Sequence, residues 1–411
     1  MNNLLVFRTF MRNLLAICLN PLVSLVPRKK KKWVYGAMRS FRDNPKFLFC
    51  WANENHPEIR SIWITHQKGD VIFLRERGFE AYYVKSLKGL FHALTAKVYI
   101  FDHQVGNVNS YLSGGAFLFN LWHGSSVKRV RWQSLNFFVQ KYNLTSEKEV
   151  RSSLWVRIME YPILFRKSDL CLAPSTIQAK EFFSPMMDIP LDHCLVGVYP
   201  RNQFLIEGKK SAMEFIEKYE PEETLSYVNY IRKFSKRYIY MPTWRNDGVD
   251  FIKQAEIDWE KLNQVLSEKN ELFVLKLHPL TMMDVDDLSK YSHVVVYPAD
   301  SDIYSVLPFM DCLISDYSSI YTDFLMMDKE IILFIFDYDN YVKNSCDLEN
   351  YDYYFVGKRA ENFTQLLSLI KTGEDCHVPK DHYKRLMDFF WDNNRYNIDL
   401  VEEIKHKINI I

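Results

Sequence analysis

From Lys32 onward the chain alternates short apolar runs with amphipathic stretches, and this alternation restricts it to parallel βαβ units. The runs read as strands are Lys32 to Gly36, Arg60 to Thr65, Ala81 to Val84, Lys97 to Phe101, Phe117 to Trp122, Leu170 to Leu172 and Cys194 to Val198. Residues 208 to 235 are charged, helical in pattern and without a strand signal. A second series then begins: Tyr238 to Met241, Leu272 to Leu275, His293 to Val296, Asp311 to Ile314 and Ile331 to Ile335. The expectation is α/β architecture in two halves. No repeat of 20 to 50 residues is present, which disfavours a solenoid, and neither G-x-G-x-x-G nor a P-loop occurs.

With 411 residues the chain exceeds what one core usually organises, so two domains are expected. Its 52 basic and 51 acidic side chains leave no global field for nucleic acid, and any anion site must be local. The seven cysteines are scattered, without a C-x-x-C pair, which indicates a reducing compartment and no cysteine metal site. Cys171 and Cys312 lie in apolar runs and are expected in the core.

Residues Leu4 to Val26 are mostly apolar, interrupted by Arg8, Arg12, Asn20 and Pro21, and followed by Arg28-Lys29-Lys30-Lys31-Lys32. Charge after the apolar stretch disfavours a signal peptide. The uninterrupted apolar part is shorter than the roughly 20 residues that span a bilayer. An interfacial helix meeting anionic headgroups through its basic residues is preferred, with a core-docking helix as the plain alternative.

In open parallel sheets ligands sit beyond the carboxyl ends of strands. Those positions here carry Trp122-His123-Gly124-Ser125-Ser126 with Lys128, then Tyr199-Pro200-Arg201-Asn202, Pro242-Thr243-Trp244-Arg245, Lys276-Leu277-His278-Pro279, and Ser315-Asp316-Tyr317-Ser318-Ser319 with Asp323. In the last segment Ser315 or Ser318 is expected to cap a helix whose free amides favour an anion. Each motif alone has an ordinary explanation as a cap, a core aromatic or a surface pair. Together, histidines, cationic donors and a hydroxyl-rich helix start suit a pyrophosphate and phosphoryl transfer. Asp300-Ser301-Asp302 has D-x-D spacing but reads as a solvated turn, so no obligatory metal is expected.

In this order the motifs resemble the CDP-glycerol glycerophosphotransferase family of wall teichoic acid primases and polymerases; Asp43-Asn44-Pro45-Lys46 is also similar, and the likeness spans roughly residues 32 to 341. The resemblance implies a GT-B fold, with two Rossmann-like domains facing across a cleft, and a membrane-associating helical segment at the amino terminus. The expected boundaries are 1–32 for that segment, 33–207 for an acceptor domain and 208–235 for a helical linker. A CDP-polyol donor domain follows at 236–385, then a carboxyl-terminal helix at 386–411 packing back on the first domain. The implied reaction is transfer of glycerol phosphate or ribitol phosphate from its CDP donor to a lipid-linked (undecaprenyl-type) or polymer acceptor, releasing CMP, at the cytoplasmic membrane face. No cofactor is implied beyond the CDP-polyol co-substrate.

By the same resemblance His123 would be the base on the acceptor hydroxyl, and His278 would contact the pyrophosphate and assist CMP departure. Trp122, Gly124, Ser125, Ser126, Arg201, Thr243, Trp244, Arg245, Lys276, Leu277, Ser318, Ser319 and Asp323 would serve donor binding. The sequence departs from the family at Val356-Gly357-Lys358, at Asp392-Asn393-Asn394-Arg395 and at Ser125-Ser126, which bears on the donor head group. The short length favours a primase-like or single-module enzyme. A nucleotide-sugar GT-B glycosyltransferase of capsule or surface polysaccharide synthesis and a non-catalytic membrane-docking protein are the alternatives. Glycerol or ribitol as the donor's polyol, the acceptor and homo-oligomerisation stay open.

Overall fold

A computed structural model describes residues 3–245, 251–278, 281, 288–344, 350–392 and 398–409. Pro279, Cys346 and Asn393-Asn394-Arg395 lie outside them. The chain divides into two compact units, residues 1–123, 129–201 and 392–411 forming the first and residues 124–128 and 202–391 the second.

The first unit holds seven strands: β1 (Lys29–Gly36), β2 (Arg60–Thr65), β3 (Ala81–Tyr83), β4 (Ala96–Phe101), β5 (Phe117–Asn120), β6 (Leu170–Ala173) and β7 (Cys194–Val196). All pair in parallel, in the order β3-β2-β1-β4-β5-β6-β7. Chain order reverses between β1 and β4, which makes a Rossmann-type switch point. β1 starts inside the basic run rather than after it: Lys29 to Lys31 are exposed, whereas Trp33, Val34 and Tyr35 are buried.

The second unit holds β8 (Arg237–Tyr240), β9 (Leu272–Lys276), β10 (Val294–Tyr297), β11 (Cys312–Ser315), β12 (Glu330–Phe334) and β13 (Lys358–Ala360). They are also parallel, in the order β10-β9-β8-β11-β12-β13, with the switch point between β8 and β11. Tyr238, Tyr240, Phe273, Leu275, Cys312, Ile314, Ile332 and Phe334 share one core. Ile239, Val274, Leu313 and Leu333, one residue out of phase, are equally buried, so both faces are covered and the strands read as continuous apolar runs. The helices Gly208–Tyr219 and Glu222–Ile231 fall within this unit, as does Lys380–Trp391, whereas Leu400–Lys407 falls within the first. None of the described cysteines is disulfide-bonded, and Cys171 and Cys312 are buried.

Helix α1 (Asn3–Val23) contains a 20-residue stretch, Leu4–Val23, long and apolar enough to cross a membrane by length and composition. It is bound to its own unit. The Asn13 amide donates to the carbonyls of Ile158 (2.9 Å) and Met159 (3.1 Å), and Asn20 donates to Ser110 O (2.8 Å) and Tyr161 Oη (3.0 Å). A Cβ on Gly114 would lie 1.9 Å from the Asn20 carbonyl, so only glycine permits this approach. Leu4, Leu5, Phe7, Met11, Leu15 and Leu22 remain exposed along α1, and apart from Leu5 they follow one another at three, four or seven residues.

Candidate functional site

In the first unit, β5 ends at Asn120, whose side chain accepts from the Trp122 amide at 2.9 Å. Trp122 takes a left-handed backbone (φ 55°), turning the chain sharply before His123, and Gly124 follows with φ 154°. The rings of Trp122 and His123 stack at 4.2 Å. His123 Nδ1 lies 3.2 Å from the Asp102 carbonyl oxygen. A carbonyl only accepts, so Nδ1 carries the proton of the neutral ring and Nε2 keeps its lone pair.

Burial pulls the His123 imidazole below its usual 6.5; the Asp43 carboxylate and the Asp102 carbonyl oppose this, and Arg201 and Arg131 add to it. The ring is therefore neutral at pH 7 and able to accept a proton. Burial and the Asp43 charge together push the Asp102 carboxyl well up. His103, half-buried beside Arg131 and His123, is pulled down to about 3 by desolvation first and the Arg131 charge second. Arg131 spans the face of Trp122 (4.8 Å to the ring centre) and donates to His103 O at 2.6 Å, fixing the indole from behind.

Arg201 belongs to this unit as well. Its side chain is 1 % exposed and pairs with Asp43 at 2.7 Å. Its amide donates to Asn44 Oδ1 (3.3 Å), while Asn44 Nδ2 donates to the Trp122 carbonyl (2.8 Å). Arg201, expected among the donor ligands, is thus brought together with Trp122 and His123 in the first unit.

In the second unit the strand-end residues of β8 and β11 meet at the switch point. Asp316 accepts from Thr243 N (2.9 Å), Thr243 Oγ1 (2.7 Å) and Arg245 Nη2 (2.9 Å). Arg245 also donates through Nε to Asp337 Oδ2 (2.7 Å) and through Nη2 to Asp337 Oδ1 (3.0 Å). Burial alone would lower the guanidinium pKa, but the two carboxylates outweigh it and raise it. Tyr317 stacks on Tyr341 (3.9 Å), Arg245 lies against both rings, and Lys128 Nζ donates to Tyr341 Oη at 2.8 Å.

The other donor-side residues are distributed around this strut. Trp244 is 36 % exposed, with its ring 6.1 Å from that of His278. Lys276 donates to the carbonyls of Pro298 (2.7 Å) and Ala299 (2.6 Å), and Leu277 is buried. Asp323 is buried with both oxygens engaged, by Asn202 (2.7 Å) and Tyr304 Oη (2.9 Å). Ser125 is buried with no hydrogen-bond partner for Oγ, and Ser126 Oγ donates to Lys128 O at 2.9 Å.

The expected serine cap takes a different form. Ser315 Oγ donates back to Met241 O at 2.7 Å, tying β11 to the end of β8. Ser318 Oγ reaches the Ile320 amide only at 3.5 Å, and Ser319, which stands at the cap position, makes no side-chain cap bond. Ser318 and Ser319 are half-buried at the start of Ile320–Met326. Among the described residues, the two side-chain groups with metal-ligand spacing are His56, Asp399, Glu402 and Glu330, Asp375, His377; neither includes a candidate site residue.

The sequence profile of the CDP-glycerol:poly(glycerophosphate) glycerophosphotransferase family matches residues 18–397. The chain belongs to this family. It is 24 % identical over 345 residues to a teichoic acid glycerol-phosphate transferase of Staphylococcus aureus (strain NCTC 8325 / PS 47), covering 81 % of each chain. It is 23 % identical over 334 residues to a teichoic acid poly(glycerol phosphate) polymerase of Bacillus subtilis (strain 168), covering 78 % of this chain and 41 % of the polymerase. The chain thus spans under half the length of that relative. A solved structure of the wall teichoic acid polymerase TagF superposes with a TM-score of 0.70 at 21 % identity, over 100 % of this chain and 98 % of the other. The fold class is therefore GT-B, as the motifs implied.

Within this family frame, strand-end reasoning passed over Asp102, His103 and Asp337. Asp102 and His103 directly follow β4 and satisfy the same positional rule. Asp337 follows β12 by three residues; nothing in its own neighbourhood marks it as the partner of Arg245.

Proposed function

We propose that this protein transfers a polyol phosphate from a CDP-polyol, CDP-glycerol or CDP-ribitol, to a lipid-linked or polymer acceptor with release of CMP, in teichoic acid or related surface-polymer synthesis. Family membership supports the donor class. The observation that carries the chemistry is the His123 Nδ1 contact with the Asp102 carbonyl, which leaves Nε2 as an oriented acceptor.

In the proposed step the acceptor hydroxyl attacks the phosphorus bearing the polyol, in line with the bridging oxygen of the pyrophosphate. Its proton passes to His123 Nε2, a new P–O bond forms, and the bond to the bridging oxygen breaks to give CMP. His278, Trp244, Ser318 and Ser319 are assigned to the donor. Arg245, Asp316 and Asp323 are assigned to holding that loop cluster in shape. The exposed face of α1, with Arg8, Arg12 and Lys29 to Lys31, is assigned to peripheral attachment at the cytoplasmic membrane surface.

The test incubates purified protein separately with CDP-glycerol and CDP-ribitol, with a membrane lipid extract as acceptor, and measures the released nucleotide. CMP supports the assignment and identifies the polyol. A nucleoside diphosphate released from nucleotide sugars, without CMP, would establish a sugar transferase instead. His123→Ala should lower turnover by roughly 10² to 10⁴ while the chain stays folded. Activity is expected to persist in chelator.

A further inference from the structure

We infer that the Asp43–Asn44 turn is a positioning device for His123: it clamps the strained Trp122-His123 turn in place and presents a carboxylate to the imidazole. The inference rests on the reading of His123 as the base.

The clamp is built from three separate segments that follow strands. Asp43 and Asn44 open α2 (Asp43–Asn55), which follows β1; Trp122 and His123 follow β5; Arg201 follows β7. The Asn44 side chain is 0 % exposed and uses both ends of its amide, donating to Trp122 O at 2.8 Å and accepting from Arg201 N at 3.3 Å. An aspartate in its place would lack the donor, and an alanine would lack both contacts.

Trp122 and Asp43 are both non-glycine residues in the left-handed region, at φ 55° and 59°. A backbone of this kind persists only where its surroundings over-determine it. At Trp122 the surroundings are the Asn120 side chain on its amide, the Asn44 side chain on its carbonyl and Arg131 on its ring face. At Asp43 the carboxylate is held by Arg201 Nη1 at 2.7 Å and by the Asn44 amide, also at 2.7 Å. The carboxylate is thus fixed by these two bonds, and its charge favours the protonated ring that forms when His123 accepts a proton.

The remaining charges around the imidazole are Arg201, Arg131, His103 and the Asp102 carboxyl. The two arginines disfavour a protonated ring. His103 is held neutral by burial, and Asp102 is pushed toward its neutral form by burial first and Asp43 second. Asp43, paired with Arg201, is therefore the carboxylate of this group that opposes the two arginines. Losing it also removes the ion pair that offsets the Arg201 charge, and both changes favour the neutral ring. Asp102 would ionise somewhat more readily without Asp43, but burial, its leading cause, remains.

The experiment follows the His123 ring directly by NMR, assigned by difference against His123→Gln, in wild type, Asp43→Asn, Asp43→Glu and Asn44→Ala. Turnover is measured in parallel as CMP release. Asp43→Asn should move the His123 titration midpoint and the acid limb of kcat/KM together to lower pH, and Asp43→Glu should restore both. Asn44→Ala should cut kcat by about 10²-fold with KM for the CDP-polyol unchanged, as a displaced reacting group does. An unmoved midpoint in Asp43→Asn, or a KM-only effect in Asn44→Ala, overturns the inference. Wild-type protein that releases no CMP from either donor would instead overturn the assigned reaction, and the NMR titration would still decide whether Asp43 acts on His123.

Discussion

Replacing Arg245 by methionine separates two roles that sequence alone merges. Its guanidinium is 4 % exposed and bonds Asp316 and Asp337, themselves 0 % and 7 % exposed. Truncation leaves two buried carboxylates without their countercharge. Asp316 keeps Thr243 and the Tyr317 amide as donors, whereas Asp337 keeps the Tyr317 hydroxyl. Breaking one side of a buried ion pair costs about 3–5 kcal/mol. In a unit of roughly 190 residues each kcal/mol moves the melting point by about 2–4 °C, so a loss of about 10 °C is expected. Arg245→Lys should lose roughly half as much, because one ammonium cannot reproduce the fork that serves both acids. Adding Asp337→Asn to Arg245→Met should recover part of the loss by removing an orphaned charge. Thermal melts followed by circular dichroism give the stability, and titration calorimetry with CDP-glycerol gives the affinity. If Arg245→Met melts within about 2 °C of wild type yet no longer binds donor, the residue is a ligand and the strut reasoning is wrong.

Three further outcomes follow from the site and from α1. Because burial holds the His123 imidazole below 6.5, the competent neutral ring is present at pH 7 and is lost as pH falls through its folded pKa, so the acid limb of kcat/KM should lie below pH 6.5; a midpoint above 7 would contradict this. Replacing both Ser318 and Ser319 by alanine should raise KM for the CDP-polyol more than it lowers kcat, and steady-state kinetics showing the reverse would remove them from the donor site. Asn13→Ala removes one side-chain donor from each of the Ile158 and Met159 carbonyls and should cost about 1–3 kcal/mol, read from urea unfolding together with faster proteolysis within α1.

Strands buried on both faces were plain in the sequence. Arg60 to Thr65 and Leu272 to Leu275 agree with β2 and β9 to within a residue, because parallel strands read as unbroken apolar runs wherever helices cover both sides. β13 went unseen because it is a three-residue edge strand beginning Lys358-Arg359, with no apolar run to announce it. The donor-side loops were legible as positions but not as partnerships. Thr243 and Arg245 stand after β8 and Asp316 after β11, strands paired 74 positions apart that the switch point makes neighbours, as the register Ile239 with Leu313 shows only once the sheet is formed. The same reason hid the true partner of Ser315, which reads locally as a helix cap and in space as a tie to Met241.

The docking of α1 has a practical consequence for anyone seeking a more soluble protein by trimming the apolar amino terminus. Cutting before Lys29 would not release a passive appendage. It would strip donors from the carbonyls of Ile158, Met159 and Ser110, and would remove Arg28, whose guanidinium ties together Ala93, Ala96, Leu112 and Gly114. The trimmed chain would trade a greasy exterior for an edge that has lost these side-chain ties. Recoding Leu4, Phe7, Met11, Leu15 and Leu22 to polar residues, while leaving Asn13, Asn20 and Arg28 untouched, is the gentler route to the same end.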